Sequence, residues 1–292
     1  MSQPHNLEGK LALVTGAGTG IGKGIALELA RQGADVAIHY ASSAAGALQA
    51  VDEIQAMGRR ACAIQADLGV VADCRRLVDE AVAFLGGLDG LVNSAGITAT
   101  FDFLDVTPEQ FDRYYSVNIR SQFFCAQRAV PYMVERGREL ARRDPKRPWA
   151  GGSIVNVSSV HAIAGLPGHS VYAGTKGAIN AFSRELAIEL IPAHIRVNVL
   201  APGSIEVPSY FGGASGYTRE LGNSLVPWGR VGLPSDVGYA AAYMLSDAAE
   251  FLTGQTIYLD GGLTAKMALP YQPSSGERTT QEERGSRDAH GS

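Results

Sequence analysis

The feature that most constrains the fold is a glycine-rich segment between an apolar run and a helical pattern. Lys10 to Thr15 is a short apolar run, Gly16, Gly20 and Gly22 follow it, and Lys23 to Arg31 has a helical pattern. Glycines allow a tight backbone turn and the close approach of a diphosphate, whose charge faces the free N–H groups at the helix start. This strand, turn and helix predict a dinucleotide-binding site.

Apolar segments separated by helical patterns recur along the rest of the chain. Such runs are typical of parallel strands that are buried on both faces. The pattern predicts the α/β class, with a single domain over residues 1–268 whose doubly wound parallel sheet is flanked by helices on both faces. Residues 269–292 are almost without apolar side chains, so we expect a disordered tail. The later strands are predicted at Val36 to Ile38, Ala61 to Ile64, Leu88 to Val92, Ser153 to Val157, Ile195 to Leu200 and Thr256 to Leu259.

Charge and residue usage exclude several classes of partner. A net charge of −4 and a pI near 5.9 give no electrostatic basis for binding nucleic acid or an anionic membrane. Residues 1–10 lack the apolar core of a signal peptide, and no apolar stretch is long enough to cross a bilayer, which predicts a cytoplasmic protein. The six histidines show no metal-ligand spacing, so no metal is expected. We expect reduced core thiols at Cys62, Cys74 and Cys125.

Tyr172 and Lys176 are four residues apart, so a helix would place them on one face. A tyrosine hydroxyl has a reference pKa of about 10, and a neighbouring ammonium would stabilise its phenolate. The pair therefore indicates a proton-transfer site, and Ser159 stands thirteen residues before the tyrosine. The alternative is a chance spacing on a solvated helix face.

Further motifs follow the glycine segment in one order along the chain. They are Asn93-Ser94-Ala95-Gly96, Asn118, Ser159, Tyr172 with Lys176, and Pro202-Gly203. With this set, the chain resembles the short-chain dehydrogenase/reductase family from about Leu7 to Thr264. The resemblance implies a Rossmann-type fold and an NAD(P)-dependent oxidoreductase that moves a hydride between a nicotinamide cofactor and a carbonyl or secondary alcohol.

The resemblance implies four catalytic residues. Tyr172 would pass a proton to or from the reacting oxygen, and Lys176 would lower the tyrosine pKa and hold the ribose hydroxyls of the cofactor. Ser159 would hydrogen-bond the substrate oxygen; the spacing to the tyrosine disfavours its rival, Ser158. Asn118 would hold a water that links the lysine to solvent, the alternative being an ordinary exposed helix residue.

The resemblance also implies the residues that contact the cofactor. Asp67 would bind the adenine ring with help from the backbone of Leu68, although it could instead cap the following helix. Two departures from the family are Ser94, where a second Asn is common, and the segment at Ile205, where a Thr is common. The predicted cofactor residues are Gly16, Thr19, Gly20, Ile21, Gly22, Tyr40, Ser42, Asp67, Leu68, Asn93, Ala95, Gly96, Tyr172, Lys176, Pro202, Gly203 and Ile205.

The end of the second predicted strand bears on the choice between NAD and NADP. Residues 39–43 contain no carboxylate that would repel a 2′-phosphate, and Ser42 and Ser43 could donate hydrogen bonds to it. No Arg or Lys stands nearby, and Thr19 occupies a position that is often basic in NADP-preferring relatives. We expect NADP, with NAD as the alternative.

Substrate identity is predicted from the segments around the catalytic set. Residues 158–161 and 202–210 resemble sugar or polyol dehydrogenases of the family, so the expected substrate is a sugar or polyol. The alternatives are a 3-oxoacyl thioester reductase and a non-catalytic NAD(P)-binding regulator. His161 could face the cleft and hydrogen-bond the substrate, or simply pack. Residues 204–230 would form a lid, and its aromatic residues could wall the pocket or pack on the body: Tyr210, Phe211, Tyr217 and Trp228.

Two other stretches bear on assembly. Residues 135–149 are mostly charged and lengthen the link between the Asn118 helix and the Ser159 strand. They are interpreted as a solvated extension, or as arginines that meet a neighbouring subunit or an anionic substrate group. Residues 227–262 resemble the closing helix and strand that pair across subunits in the family. We therefore expect a homotetramer, with a dimer as the alternative.

Overall fold

The computed structural model describes residues 6–144, 151–211 and 216–267. Within these ranges, seven strands form one sheet in the order β3-β2-β1-β4-β5-β6-β7, and all pairings are parallel. All predicted strands are present. They are β1 Leu11–Val14, β2 Asp35–Tyr40, β3 Ala61–Gln65, β4 Gly90–Asn93, β5 Gly152–Val157, β6 Ile195–Pro202 and β7 Thr256–Leu259.

Helices cover both faces of the sheet. Buried residues of α1, α2 and α8 form one core layer with the strands, and those of α3, α5 and α6 form the other. This is the predicted doubly wound α/β architecture in a single unit. The helices are α1 Gly20–Arg31, α2 Ala44–Ala56, α3 Val71–Leu85, α4 Pro108–Tyr115, α5 Ser121–Arg143, α6 Ser170–Glu189, α7 Arg219–Leu225 and α8 Pro234–Leu245.

The start of α4 is set by a capping box. The Thr107 hydroxyl accepts the backbone N–H of Gln110 at 3.3 Å, and the Gln110 side chain accepts the backbone N–H of Thr107 at 2.9 Å. Pro108 occupies the first helical position, where its missing N–H is not needed. This cap fixes where the chain that leads to Asn118 begins.

The sequence has a helical pattern from Pro108 to Val134, which contains Asn118, but the structure does not form one continuous helix there. A π-helical turn, Ser116–Arg120, separates α4 from α5, and Asn118 lies inside it. Such turns insert one residue into the helical ladder and are frequent at functional sites. The helical periodicity could not reveal it, because a single inserted residue barely changes the apolar pattern.

The first part of the charged stretch 135–149, which was interpreted as a solvated extension, is helical in the structure. Helix α5 continues through Arg143, where Arg142 pairs with Glu135 at 2.7 Å and Arg143 pairs with Glu139 at 2.7 Å. Pairs of this kind support an exposed helix, so the charges extend α5. Residues 145–149, like the predicted tail 269–292, lie outside the described residues.

The predicted lid, residues 204–230, contains a short helix, α7. Glu206, at the start of this stretch, is buried and accepts two hydrogen bonds from Arg219, at 2.9 and 2.6 Å, and one from Tyr217 at 3.3 Å. These bonds tie α7 to the end of β6. Residues 212–215 of the predicted lid lie outside the described part.

Candidate active site

A cavity of about 470 Å³ opens at the carboxyl ends of the central strands, where ligands bind in doubly wound sheets. Its wall combines the glycine segment, the ends of β2 and β4, and the start of α6. The structure therefore brings most of the predicted cofactor set together with two of the predicted catalytic residues. The predicted residues on this wall are Gly16, Thr19, Gly20, Ile21, Gly22, Tyr40, Ser42, Asp67, Leu68, Ala95, Gly96, Tyr172 and Lys176.

The glycine segment forms one part of the wall. Gly16 has a φ of 68°, which favours glycine, and a Cβ there would lie 2.7 Å from the Cα of Ala95. Helix α1 begins at Gly20, and the unpaired N–H groups of its first turn are available to an anion. A cofactor diphosphate fits this part of the cavity because glycine backbone forms much of the surface.

His39, which is buried near the end of β2, connects two segments of the wall. Its Nδ1 accepts the backbone N–H of Gly16 at 3.0 Å, and its Nε2 donates to the carbonyl oxygen of Ala66 at 3.1 Å. Only a neutral ring with its hydrogen on Nε2 makes both bonds. Burial lowers the pKa of His39, and the bond to Ala66 and the charge of Asp73 oppose this effect. The sequence analysis missed this role; the available signal was a lone histidine in an apolar strand.

Thr15 and Asn93 hold the segment after β4 in place. The Thr15 hydroxyl accepts the backbone N–H groups of Ser94 and Ala95, each at 3.0 Å. The buried Asn93 side chain donates to Asn156 Oδ1 at 2.9 Å and joins β4 to β5. Asn93 does not line the cavity, and its predicted cofactor contact stays a prediction.

Asp67 and Leu68 form another part of the wall. Asp67 Oδ1 accepts the backbone N–H of Gly69 at 2.8 Å, so it stabilises the turn before α3 as well as facing the cavity. Arg113 of α4 also lies on the wall and pairs with Asp67 at 3.2 Å. The sequence analysis did not single out Arg113, whose only signal was a basic residue shortly before Asn118.

The side chains of Tyr172 and Ser159 are close enough for the serine hydroxyl to influence the ionisation of the phenol. Tyr172 lies in the first turn of α6, and Ser159 follows β5. Burial raises the pKa of Tyr172 to about 12, and the interaction with the Ser159 side chain acts in the opposite direction. This is contrary to the expected lowering of the tyrosine pKa. Tyr172 is half-buried on the cavity wall, and partial removal of the phenol from water disfavours its charged form.

Lys176 is buried one helical turn after Tyr172. Its ammonium donates to the carbonyl oxygen of Val157 at 3.0 Å and lies 5.3 Å from the centre of the Tyr172 ring. Burial lowers the pKa of Lys176 to about 8. The lysine is therefore placed beside the phenol as predicted, but its strongest contact is with the backbone of β5.

Asn118 is fully buried, so the alternative of an exposed helix residue is wrong. Its Oδ1 accepts the backbone N–H of Ile97 at 2.8 Å, and its Nδ2 donates to the Ile97 carbonyl at 3.0 Å and to Thr175 Oγ1 at 3.2 Å. A Cβ on Gly96 would lie 3.4 Å from Asn118 Oδ1 and 3.6 Å from Lys176 Nζ. Asn118 therefore stands close to the lysine, and its predicted hold on a water stays a prediction.

Pro202, Gly203 and Ile205 lie at and after the end of β6, off the cavity wall. The Gly203 N–H donates to the Leu259 carbonyl at 3.0 Å, and the Ile205 side chain is buried in the core. Their predicted cofactor contacts stay predictions. The segment reaches the wall a few residues later, at Val207, Pro208 and Ser209.

Two histidine rings stand around Tyr172. The ring centres of His161 and Tyr172 are 5.3 Å apart, and those of His161 and His169 are 5.0 Å apart. The backbone N–H of His161 donates to Ser159 Oγ at 3.2 Å. His161 is thus beside the predicted catalytic pair, which supports the cleft-facing interpretation of its position.

Three of the predicted lid aromatics form one cluster. The ring centre of Tyr217 lies 5.0 Å from that of Tyr210 and 5.4 Å from that of Phe211. Burial raises the pKa of Tyr210. The charge of Tyr210 also raises the pKa of Tyr172, so this cluster lies near the Tyr172 phenol. Trp228 is 75% exposed and is not part of the cluster.

Other predicted features concern metals, thiols and membranes. In the part of the chain that the structure describes, no group of three or more His, Cys, Asp or Glu side chains could hold a metal ion. The three cysteines are free thiols, and Cys74 and Cys125 are buried. Of the helices within the described ranges, none combines the length and apolar character needed to cross a membrane.

Comparison with known proteins agrees with this geometry. The family model described as enoyl-(acyl carrier protein) reductase matches residues 16–264. Versicolorin reductase stcU of Emericella nidulans is 40% identical over 272 residues, which cover 89% of this chain and 98% of that protein. Hydroxynaphthalene reductase-like protein Arp2 of Metarhizium brunneum is also 40% identical over 272 residues, covering 89% of this chain and 96% of that protein.

A solved structure shows the same fold. A short chain dehydrogenase from Burkholderia cenocepacia in complex with NADP superposes with a TM-score of 0.77 at 35% identity, over 89% of this chain and 99% of that chain. The sequence similarity, the fold and the position of the cavity therefore all indicate the same family. The chain belongs to the short-chain dehydrogenase/reductase family and is an NAD(P)-dependent oxidoreductase.

Proposed function

We propose that this enzyme reduces a carbonyl group in a hydroxylated aromatic ring system, with NADPH as the hydride donor. The observation that carries the reaction is the position of Tyr172 and Lys176 on the wall of the glycine-walled cavity, with Ser159 next to the phenol. A neutral phenol beside a serine hydroxyl is a suitable proton donor for carbonyl reduction. The ring-system part is supported by two relatives that are named for versicolorin and hydroxynaphthalene reduction.

The residues of the chain supply the proton and the orientation of the substrate. Tyr172 donates its proton to the carbonyl oxygen as negative charge grows there. Ser159 donates a hydrogen bond to the same oxygen and holds it beside the phenol. When bound, the reduced nicotinamide supplies the hydride that attacks the carbonyl carbon.

Lys176 and Asn118 act on the phenol after it has given up its proton. The Lys176 ammonium stands 5.3 Å from the Tyr172 ring centre, where it stabilises the phenolate. The side chain of Asn118 lies close to the same ammonium and is held rigidly by the backbone of Ile97. We assign to this pair the return of a proton to Tyr172.

The preference for NADP is supported by the end of β2. Tyr40, Ser42 and Ser43 lie on the cavity wall, and residues 39–43 contain no carboxylate. A carboxylate at this place would bind a ribose 2′-hydroxyl and repel a 2′-phosphate. The related Burkholderia enzyme holds NADP, which agrees with this preference. NAD remains the alternative cofactor.

Exposed apolar side chains in the segment between Ser159 and Tyr172 and in the predicted lid favour a ring substrate over a sugar. Ile163 and Leu166, in the segment that joins Ser159 to Tyr172, are 59% and 57% exposed, and Phe211 of the predicted lid is 57% exposed. Exposed apolar side chains near a cleft suit an apolar ligand. The names of the reported relatives do not support a sugar or polyol substrate. The matching family model is named for a substrate on an acyl carrier protein, which agrees with the thioester alternative.

A homotetramer, or a dimer, stays our proposal for the assembly. Large apolar side chains on α4, α5 and α6 are exposed in the single chain: Phe111, Phe123 and Ile188. Such surfaces often mark contacts between subunits. Light scattering coupled to size exclusion would give the number of subunits. A cytoplasmic location also stays a prediction.

A rate comparison over four substrate classes tests the proposed function. Initial rates would be measured with NADPH and with NADH on hydroxylated tetralones, acetoacetyl thioesters, aldoses and aliphatic hydroxyketones. We expect the highest kcat/KM for a hydroxylated tetralone with NADPH, by about a hundredfold over the sugars. A preference for sugars or for thioesters would replace the proposed substrate class. Cofactor binding without turnover of any carbonyl or alcohol would instead support the non-catalytic regulator.

A further inference from the structure

One nitrogen of the His161 ring has no partner. Its Nδ1 is enclosed by protein and makes no hydrogen bond to any residue that the structure describes, although the side chain as a whole is only partly buried. Buried N–H groups without an acceptor are rarer in proteins than acceptors without a donor. The ring hydrogen therefore lies on Nε2, and Nδ1 keeps an unused lone pair.

The surroundings keep this ring neutral. Burial lowers the pKa of His161, and the charges of His169 and Lys176 lower it further. Protonation would also place an N–H on the enclosed Nδ1, where no acceptor exists. Near pH 7, His161 consequently offers one hydrogen-bond donor, the Nε2–H group.

The His161 ring lies next to Tyr172 and Ser159, whose hydroxyl groups bind the reacting oxygen in the proposed reaction. The His161 ring stands edge-on to Tyr172, with an interplanar angle of 80° and 5.3 Å between ring centres. Its backbone N–H donates to Ser159 Oγ at 3.2 Å, which fixes its position along the chain. Since Nδ1 is enclosed, Nε2 is the polar atom of the ring that a ligand can reach.

We infer that His161 determines substrate specificity by donating a hydrogen bond from Nε2 to a second oxygen of the substrate. That oxygen is a hydroxyl or carbonyl oxygen one or two carbon atoms from the carbonyl that is reduced. The inference rests on the proposed function and narrows it to ketones that carry a neighbouring oxygen.

The test compares two ligands that differ only in the second oxygen. They are 8-hydroxy-1-tetralone and 1-tetralone, and their dissociation constants would be measured on the enzyme loaded with oxidised NADP, which cannot reduce either ketone. We expect the hydroxylated ketone to bind about tenfold more tightly to the unaltered enzyme, as one added hydrogen bond allows.

Three substitutions at position 161 separate hydrogen bonding from packing. His161→Phe keeps a ring but has no hydrogen-bond donor. The variant should therefore bind the two ketones with about equal affinity. His161→Gln places an amide N–H near the former Nε2 and should keep most of the preference, while His161→Asn, whose amide reaches only the former Nδ1 position, should lose it. His169→Phe is the matched control and should keep it, because the His169 Nδ1 is already bound to the Pro167 carbonyl at 3.0 Å.

Several results would overturn the inference. They are an equal affinity of the unaltered enzyme for both ketones, a preference that survives in His161→Phe, and equal losses of affinity for both ketones in that variant. Turnover tests the proposed function separately. If NADPH-loaded enzyme reduces acetoin but neither tetralone, the proposed function fails. The inference is then decided by acetoin against 2-butanone in the same variants, because that pair also differs by one neighbouring hydroxyl.

Discussion

The ammonium of Lys176 is bound to the carbonyl oxygen of Val157 at 3.0 Å and stands 5.3 Å from the centre of the Tyr172 ring. Lys176 is buried and Tyr172 is half-buried, and removal from water acts on their pKa values in opposite directions. It raises the pKa of Tyr172 to about 12 and lowers that of Lys176 to about 8. Near pH 7 the free enzyme therefore holds a protonated phenol beside a charged lysine, which is the state that carbonyl reduction needs.

The rate of carbonyl reduction should fall in alkaline solution. Lys176 loses its charge above about pH 8, and the phenolate then has no ammonium to stabilise it. Tyr172 stays protonated over this range because its pKa is about 12. We expect kcat/KM, which reports the free enzyme, to fall about tenfold per pH unit above pH 8. The residual kcat/KM of Lys176→Arg should not fall in this range, because arginine keeps its charge. If kcat/KM of the unaltered enzyme stays constant to about pH 10, Lys176 is not the group that stabilises the phenolate.

Replacing Lys176 with Met should stabilise the fold while it removes activity. The folded pKa of about 8 lies below the ordinary 10.5, so burying the ammonium destabilises the protein below pH 8, and this cost disappears as the pH rises to 10.5. The shift corresponds to about 3 kcal/mol, of which about 1 kcal/mol is offset by the lost donor to Val157.

Denaturant unfolding measures this effect. Lys176→Met should raise the free energy of unfolding by about 2 kcal/mol near pH 7, and by much less near pH 10. Lys266→Met, at an exposed position, is the control and should change little. A destabilised Lys176→Met protein at pH 7 would show that the ammonium contributes more to the fold than its burial costs.

Acid should weaken cofactor binding through His39. Its folded pKa is lowered from 6.5, so the stability that depends on the neutral ring is complete above pH 6.5 and is lost as the pH falls below it. A protonated Nδ1 cannot accept the Gly16 N–H, and the glycine segment loses that restraint. The dissociation constant of NAD, which has no 2′-phosphate that titrates in this interval, should rise several-fold between about pH 7 and pH 5 when measured by fluorescence. The His39→Phe variant should bind the cofactor more weakly, with a dissociation constant that does not depend on pH in this interval. A parallel rise of the dissociation constant in the variant would assign the effect to another group.

A carboxylate at the end of β2 should reverse the cofactor preference. Ser42 lies on the cavity wall in a stretch without acidic residues. In Ser42→Asp, repulsion of the 2′-phosphate should raise the KM for NADPH at least about tenfold, while the KM for NADH stays within about threefold. Ser42→Asn is the uncharged control. Equal changes for both cofactors would place the 2′-phosphate elsewhere.

The positions of the strands along the chain were predictable because buried parallel strands leave continuous apolar runs in the sequence. The grouping of Ser159, Tyr172 and Lys176 near the glycine segment was also predictable, since parallel strands place their carboxyl ends at one edge. The π-helical turn at Asn118 and the extension of α5 were not, because one inserted residue and a charged helix surface leave no distinctive pattern.

The electrostatic state of the site required the structure. Spacing alone indicated that Lys176 would acidify Tyr172, but the direction of the shift depends on how far each group is removed from water. The roles of His39 and Arg113 depend on contacts with Gly16 and Asp67 that are distant in sequence. Such contacts cannot be deduced from periodicity.

The central claim is that the Tyr172 phenol gives its proton to the substrate oxygen. The most direct measurement is single-turnover reduction of a ketone by NADPH-loaded Tyr172→Phe enzyme, with cofactor binding measured in the same sample. We predict a rate lowered about a thousandfold with the NADPH dissociation constant changed less than about threefold. A variant that binds NADPH normally and reduces the ketone within about tenfold of the unaltered rate would contradict the claim.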